Sequence, residues 1–162
     1  MTTLQIKLVY PEAKIPTRHT PEAAGLDLYS IQNQTVKANN KAIIDTGIAV
    51  VFPPETYGRI APRSTSSYAN HFVVGGGVID PDFRGTIKVI LFNLGSEDFQ
   101  ILKGESHAQL VIEKIAMPKI EVVTELAATS RMFTTGIDRY YLSEMLWKNT
   151  TWCGDQFREI DE

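Results

Sequence analysis

The chain has 162 residues, 43% of them hydrophobic, and 16 basic against 19 acidic side chains give a formal net charge of −3 at pH 7. This length predicts one domain, and a domain of this size buries roughly two-thirds of the surface of its unfolded chain, so its core needs no disulfide or metal. The mild negative charge argues against a binder of duplex nucleic acid, which would normally present a basic face.

Cysteine and histidine are too few and too far apart for a disulfide framework or a structural zinc site. Cys153 is the single cysteine, and His19, His71 and His107 show none of the zinc-motif spacings. No stretch approaches the roughly 18 apolar residues of a membrane span, and the N-terminus lacks the pattern of a signal peptide. We therefore expect an intracellular protein, cytoplasmic or nuclear, that has no membrane contact.

The first two-thirds of the chain is predicted to form short strands. Polar and apolar residues alternate from Leu4 to Tyr10, as in a half-buried strand. Prolines at 11, 16 and 21 then predict an irregular stretch, and Asp27 follows on a further apparent strand. Short β-type runs separated by Gly, Pro, Asn and Asp indicate an all-β barrel or sandwich. These runs are 42–52, 58–61, 72–74, 86–92, 99–102, 107–115 and 120–124.

The run 86–92 is apolar on both faces. Ile87, Val89 and Leu91 share one face, whereas the other face carries Ile90 and Phe92 beside Lys88. Because side chains alternate across a strand, this pattern predicts a strand that is central in a sheet or lies at a subunit interface.

The C-terminal region has a different pattern. Ile137, Tyr141 and Met145 recur at four-residue spacing, and Asp138 stands where a helix N-terminus favours negative charge. We predict one short helix over about 138–148. No repeat or linker separates a second domain, so we assign 1–128 to a β domain and 129–162 to an arm with a helical extension.

Four segments have side chains suited to chemistry. Residues 75–85, GGGVIDPDFRG, combine glycines that allow close approach with Asp-Pro-Asp turn chemistry, and predict a hairpin with an acidic tip or an ordinary solvated turn. Arg63 and the hydroxyls after it are suited to clasping a phosphate. Gln109 is predicted to point away from the apolar side of its strand, as an amide donor or a surface glutamine. Asp27 stands between leucines, where a buried carboxylate needs partners.

In this order, the four segments resemble the motifs of the trimeric dUTP pyrophosphatase (dUTPase) family. Residues 24–30, AGLDLYS, are similar to AGxDLxS, and residues 62–69, PRSTSSYA, resemble PRSxxA with two extra residues. Residues 77–93 are similar to GVIDxDYRGxxxVxLFN, with Phe83 at the tyrosine position, and residues 104–111, GESHAQLV, resemble GDRIAQLV. The resemblance covers about residues 4–115. It implies a jelly-roll-type β-barrel that forms a homotrimer with active sites between subunits.

The resemblance also implies cleavage of dUTP to dUMP and pyrophosphate, with Mg²⁺ held mainly by the triphosphate. Asp80 would orient and deprotonate the attacking water. A carboxylate pinned by a following proline suits that role, because water attack on phosphorus needs a base and charge neutralisation more than a covalent nucleophile.

By the same resemblance, the substrate would be held by several groups. Backbone groups of Gly77, Val78 and Ile79 would read uracil, and the Phe83 ring would lie beneath the deoxyribose and leave no room for a 2′-hydroxyl. Asp27 would belong to the acidic surroundings of the metal. The phosphates would be bound by Arg63, Ser64, Thr65 and Gln109, with Lys88 a further, structural or interfacial, cation.

Two segments depart from the family pattern. Ser106 stands where the fourth motif usually has arginine, which removes a cation and suggests that Asp27 has lost a partner. The fifth motif, a closing arm similar to RGxxGFGSTG, has its nearest match in residues 130–136, SRMFTTG, which are shorter and poorer in glycine. If this stretch forms the arm, Arg131 reaches the terminal phosphate and Phe133 stacks on uracil, with Thr135 and Gly136 beside them. Otherwise it leads into the predicted helix.

Two alternatives compete with an active dUTPase. A dCTP deaminase of the same fold would need a catalytic glutamate where Ile90 stands and an arginine near Tyr68, and isoleucine cannot shuttle protons. A catalytically impaired dUTPase-fold protein that binds a partner would account for Ser106, the altered fifth motif and the aromatic C-terminal region. It would not account for the retained third motif.

Overall fold

The computed structural model describes residues 3–127. These residues fall into two units, 3–118 and 119–127. The predicted helix at 138–148 and the fifth-motif residues Arg131, Phe133, Thr135 and Gly136 lie outside the described residues, and the boundary at 128 stays a prediction.

Short strands dominate residues 3–118, which confirms the all-β prediction. The one helix of the described part, α1 (Ser64–Asn70), follows the sixth strand. The strands are β1 (Gln5–Leu8), β2 (Gly25–Leu28), β3 (Gln34–Val36), β4 (Asn40–Asp45), β5 (Ile48–Val51), β6 (Thr56–Pro62), β7 (Phe72–Gly75), β8 (Val78–Ile79), β9 (Lys88–Asn93), β10 (Phe99–Ile101) and β11 (Ala108–Lys114).

The strands form four antiparallel sheets around one hydrophobic core. The largest sheet has the order β2-β11-β6-β8, and a second has the order β4-β9-β7. Two further pairs are β1-β5 and β10-β3. Alternation along the strands places apolar side chains in the core, where the largest fully buried apolar ones are Phe72, Ile48, Ile87, Leu91, Ile101, Leu110 and Val36. Burying such a side chain stabilises the fold by about 1.5–3 kcal/mol.

Strand β9 is central in its sheet, as predicted, because it pairs with β4 on one side and β7 on the other. Ile87, Val89 and Leu91 are buried in the core. On the opposite face Lys88 is exposed, and Ile90 and Phe92 are half-buried. This second face is therefore only partly covered within one chain.

Two predicted strands were wrong. The run 42–52 is split into β4 and β5 by a turn at Thr46 and Gly47, where Gly47 has a φ of +68° and donates its N–H to the Asp45 carboxylate at 2.9 Å. The run 120–124 forms no strand in the described part of the chain, and Ile120 and Val122 are almost fully exposed. A β-type composition alone does not make a strand, because backbone groups need a partner strand.

Helix α1 was not predicted. Its sequence, STSSYAN, is rich in serine, threonine and asparagine, which are weak helix formers. No helix within residues 3–127 is both long and apolar enough to cross a membrane.

Candidate active site

The first and fourth motifs lie side by side on the outer face of the largest sheet. Strand β11 runs between β2 and β6, and Gln109 opposes Asp27 on one side and Ala61 on the other. Ala108 and Leu110 enter the core, so the alternation turns Gln109 outward, as predicted. The Gln109 amide donates Nε2–H to the carbonyl oxygen of Pro62 at 3.1 Å. A Cβ atom on the neighbouring Gly25 would collide with the Gln109 side chain, so the glycine makes room for this amide.

Asp27 has a cationic partner in the second motif. Arg63 Nη1 lies 3.3 Å from Asp27 Oδ2, and the two side chains are 30% and 13% exposed. The same nitrogen donates to the carbonyl oxygen of Ser106 at 3.1 Å. Asp27 therefore has a cationic partner in Arg63, and the loss of a further partner through Ser106 stays a prediction.

The remaining second-motif residues open α1. Arg63 is the residue at which the chain leaves β6 in an extended conformation, and Ser64 is the first residue of the helix. Ser64 and Thr65 are exposed, so their hydroxyls face solvent beside the Arg63–Asp27 pair. The backbone N–H of Arg63 donates to the carbonyl oxygen of His107 at 3.1 Å, which ties this corner to the fourth motif.

The third motif forms a short strand and a tight turn. Strand β8 pairs with Gly58 and Arg59 of β6, and the N–H of Ile60 donates to the carbonyl oxygen of Gly77 at 2.7 Å. The predicted hairpin was therefore wrong in its pairing, because β8 pairs with an earlier strand. We call residues 80–83 the acidic turn.

The acidic turn is held by hydrogen bonds to its own carbonyl oxygens. The N–H of Phe83 donates to the carbonyl oxygen of Asp80 at 3.1 Å. Arg84 Nη1 donates to the carbonyl oxygens of Pro81 at 2.8 Å and Phe83 at 2.9 Å. The Asp80 side chain is exposed and the Phe83 ring is 41% exposed, so a carboxylate and an aromatic face are presented together on a rigid turn.

One chain does not bring all the candidate residues together. Asp27 lies on β2 at one edge of the sheet and the acidic turn follows β8 at the other edge. Three strand spacings of ~4.8 Å separate these edges by roughly 14 Å. Lys88 lies on the other large sheet, 3.7 Å from the Asp45 carboxylate. Gln109 opposes Asp27, and Arg63 pairs with it from the end of β6. Ile79, just before the acidic turn, opposes Gly58, which is five residues or roughly 16 Å from Arg63 along β6. The chain thus presents a phosphate-suited corner (Arg63, Ser64, Thr65 and Gln109) and, at a distance from it on the same sheet, the acidic turn.

A polar cluster braces the strands beside β8. Both the Tyr57 hydroxyl and Arg59 donate to the Glu113 carboxylate, the latter from Nε at 2.7 Å. The Tyr57 hydrogen bond, followed by that of Arg59, lowers the pKa of Glu113 below its usual value. The bond to Glu113 also raises the pKa of Tyr57 and of Arg59. These contacts join β6 to β11 across the sheet that carries the acidic turn.

A contact that could not be expected from the sequence lies behind α1. Ser66, which is 4% exposed, places its Oγ 3.1 Å from Nδ1 of His107. On the far side of the ring, Nε2 lies 3.4 Å from Glu105 Oε2. Because α1 was not predicted, the sequence did not indicate that Ser66 would face the fourth motif.

Comparisons with known proteins show which proteins this chain is similar to. A family model described as dUTPase matches residues 11–137. The deoxyuridine 5′-triphosphate nucleotidohydrolase of Fowlpox virus is 46% identical over 127 residues, which are 78% of this chain and 87% of that protein.

Two solved structures of phage enzymes are also similar. A point mutant of the Staphylococcus bacteriophage 80alpha dUTPase with dUpNHpp has a TM-score of 0.78 and 28% identity, over 83% of this chain and 96% of that one. A mutant dUTPase from phage phi11 of S. aureus, described with a structural Mg(II) ion, has a TM-score of 0.72 and 28% identity. The match covers 78% of this chain and 99% of that one. The matched family model covers most of the chain, including all four motifs, and this chain therefore belongs to the dUTPase family.

Proposed function

We propose that this chain is a dUTP diphosphatase, which hydrolyses dUTP to dUMP and pyrophosphate. The observation that carries the proposal is the acidic turn, which presents the Asp80 carboxylate and the Phe83 ring next to the strand that begins after Gly77. Family membership supports the same activity. Pyrophosphate release from dUTP, measured with Mg²⁺ and again with EDTA, tests it. Release that requires Mg²⁺ is expected, and no release under either condition would favour the partner-binding alternative.

Asp80 acts as the general base. Its carboxylate removes a proton from a water molecule as the water oxygen attacks phosphorus at the phosphoanhydride between dUMP and pyrophosphate. The new P–O bond forms as the bond to the leaving phosphate oxygen breaks. A base acts best when it is held at a fixed distance from its proton, and the hydrogen bonds within the acidic turn limit how far Asp80 can move.

The described residues suit a magnesium ion that is held mainly by the substrate. Among residues 3–127, no group of three or more metal-ligating side chains lies close enough to form a protein cage. Asp27 is already paired with Arg63, so it would act indirectly, as a negative group near the metal. Magnesium bound to the triphosphate would neutralise phosphate charge and polarise the bond that breaks.

Substrate binding is divided between two separate places on the β2-β11-β6-β8 sheet. Arg63, Ser64, Thr65 and Gln109 bind the phosphates, because they place guanidinium, hydroxyl and amide donors on one corner. Backbone groups of Gly77, Val78 and Ile79 read uracil. Asp45 holds Lys88 at 3.7 Å, which favours a structural or interfacial role for that lysine.

The Phe83 ring excludes ribonucleotides, so Phe83→Ala is expected to raise activity on UTP relative to dUTP by about tenfold. The alanine opens space for a 2′-hydroxyl, whereas the control variant Phe83→Tyr keeps the ring and should keep the preference. The measurement is kcat/KM for both nucleotides with each protein. An alanine variant that prefers dUTP over UTP as strongly as the wild type would show that the ring does not exclude ribonucleotides.

The two halves of the site meet through assembly, and we propose a homotrimer. Within one chain the acidic turn lies beside Gly58 and the phosphate-suited corner follows the far end of β6, so we infer that a second chain supplies the missing half. The outer face of β4, β9 and β7 suits such a contact. Ile43 is 56% and Val73 46% exposed there. Ile43 opposes the half-buried Ile90, and Val73 opposes the half-buried Phe92.

Charge on that face should break the assembly. Sedimentation of the wild-type protein is expected to give a mass three times that of the 18.1 kDa chain. The Ile43→Asp variant should give a smaller mass, because burying an unpaired carboxylate in an interface is costly. Ile15→Asp is the matched control, since Ile15 is also exposed, at 62%, but lies outside the sheet. Sedimentation of the wild type as a single chain would contradict the proposal.

Arg131, Phe133, Thr135 and Gly136 are proposed to close over the bound nucleotide, with the arginine at the terminal phosphate and the phenylalanine on uracil. The order of residue types in 130–136 supports this proposal.

An intracellular location, cytoplasmic or nuclear, also stays a proposal.

A further inference from the structure

The imidazole of His107 is contacted on several sides. Its side chain is 14% exposed. Nδ1 faces the Ser66 hydroxyl at 3.1 Å, and Nε2 faces the Glu105 carboxylate at 3.4 Å. Phe72 and Phe99 pack edge-to-face against the ring, with centroids 5.5 Å and 5.3 Å away. These contacts fix both the plane of the ring and the direction of its nitrogen atoms.

The two polar contacts define the direction of each hydrogen bond in the neutral ring. An ionised carboxylate only accepts hydrogen bonds, so Glu105 requires the proton on Nε2. Nδ1 is then an acceptor, and the Ser66 hydroxyl donates to it. With 4% exposure, Ser66 is too buried to act as a nucleophile on a substrate, so this serine, histidine and glutamate form a structural chain of hydrogen bonds.

The bond from Ser66 to His107 is a tertiary contact of helix α1. The helix has seven residues, its N-cap makes no side-chain hydrogen bond, and Ser66 is its one buried residue. A helix of this length is marginal without tertiary contacts, and a missing N-cap bond removes a usual source of stability. The Ser66–His107 bond ties the buried residue of α1 to the fourth motif, and a second side-chain bond, from the Ser67 hydroxyl to the carbonyl oxygen of Phe72 at 3.0 Å, ties the helix to β7. The neighbouring bonds from Arg63 to His107 and Ser106 are made to backbone carbonyl oxygens.

We propose that His107 is a positioning residue for phosphate binding. By accepting the Ser66 hydroxyl hydrogen bond, it holds α1 in the orientation that presents Ser64 and Thr65 to the phosphates. This inference rests on the proposed function, in which those two residues bind substrate. His107 itself touches no reacting atom.

Two conservative variants separate positioning from packing. His107→Asn places an amide oxygen near the former Nδ1 position and keeps an acceptor for Ser66, whereas His107→Gln places its amide near Nε2 and loses that acceptor. Both lose the aromatic ring equally. His107→Gln should raise KM for dUTP about fivefold, as expected for one lost hydrogen bond. Its kcat should change less than about twofold, because the phosphate contact is weakened equally in the ground state and the transition state. His107→Asn should stay within about twofold of the wild-type KM.

Ser66→Ala provides a second test that keeps the ring. It should raise KM about as much as His107→Gln, and the double variant should be no worse than either single one, because both remove the same bond. Equal KM values for the asparagine and glutamine variants, or an unchanged KM in Ser66→Ala, would overturn the inference.

Amide hydrogen exchange over residues 64–70 supplies a readout that does not depend on catalysis. Exchange should be faster in His107→Gln and Ser66→Ala than in His107→Asn, because α1 opens more often without the Ser66–His107 bond. If the wild-type protein fails to hydrolyse dUTP, the proposed function fails, while this difference in exchange still supports the positioning of α1 by that bond. Identical exchange in all the proteins would refute it.

Discussion

Replacing Asp80 by asparagine is expected to lower kcat for dUTP by about a thousandfold, while the Kd of the nucleotide changes little. The amide keeps the size and shape of the carboxylate but cannot take a proton from water. Because the backbone bond from Phe83 to Asp80 and the contacts of Arg84 do not involve the Asp80 side chain, the acidic turn should keep its conformation.

The control for this experiment is Asp82→Asn, which removes the other carboxylate of the same turn. Asp82 is also exposed and has no assigned role, so its variant should retain most of the wild-type kcat. Turnover measured by pyrophosphate release and binding measured by calorimetry separate the two effects. Hydrolysis by the Asp80 variant at near the wild-type rate would remove Asp80 from the mechanism.

Gly77→Ala is expected to abolish most activity by a different route. A Cβ atom at this position would lie 2.5 Å from the carbonyl oxygen of Ile60, which is backbone within β6 and cannot rotate away. Strand β8 would have to move, breaking the 2.7 Å bond from the Ile60 N–H to the Gly77 carbonyl and displacing the acidic turn. We expect a loss of about 2 kcal/mol in the free energy of unfolding, as for other overpacked sites.

Urea unfolding and kcat/KM for dUTP, measured on the same samples, test this second prediction. Gly95→Ala is a suitable control, because its Cβ would meet the Asn93 side chain at 3.1 Å, a tight contact on the β9–β10 connection and away from the acidic turn. It should cost some stability and little activity. A Gly77 variant with wild-type stability and turnover would show that β8 is free to shift.

The residues that could be placed from the sequence are those whose environment is set by near neighbours. Ala108 and Leu110 alternate with Gln109 along one strand, and that alternation alone turns the amide outward. The turn chemistry of Asp80 and Pro81 is likewise local. Partners distant in the chain could not be inferred in this way. Arg63 and Asp27 are 36 positions apart and come together because strand β11 pairs with both β2 and β6.

Helix α1 and the run 120–124 are two segments whose backbone conformation was predicted wrongly from composition, the first as no helix and the second as a strand. The composition of α1 disfavours a helix, yet the buried hydrogen bond of Ser66 and the fixed path out of β6 stabilise one. Residues 120–124 are rich in the β-branched residues that favour strands, yet form none in the described part of the chain. In both places contacts outside the segment, which composition does not record, decide the backbone conformation.

The separation of the acidic turn from the phosphate-suited corner within one chain would have a genetic consequence in the proposed assembly. A site built from two chains takes its acidic turn from one copy and its phosphate-binding corner from another. Damage to the turn in one copy and to the corner in a second copy then leaves some interfaces with both halves intact. Two alleles that are each inactive alone would complement one another when expressed together, and a single defective allele would inactivate only the interfaces to which its damaged half contributes.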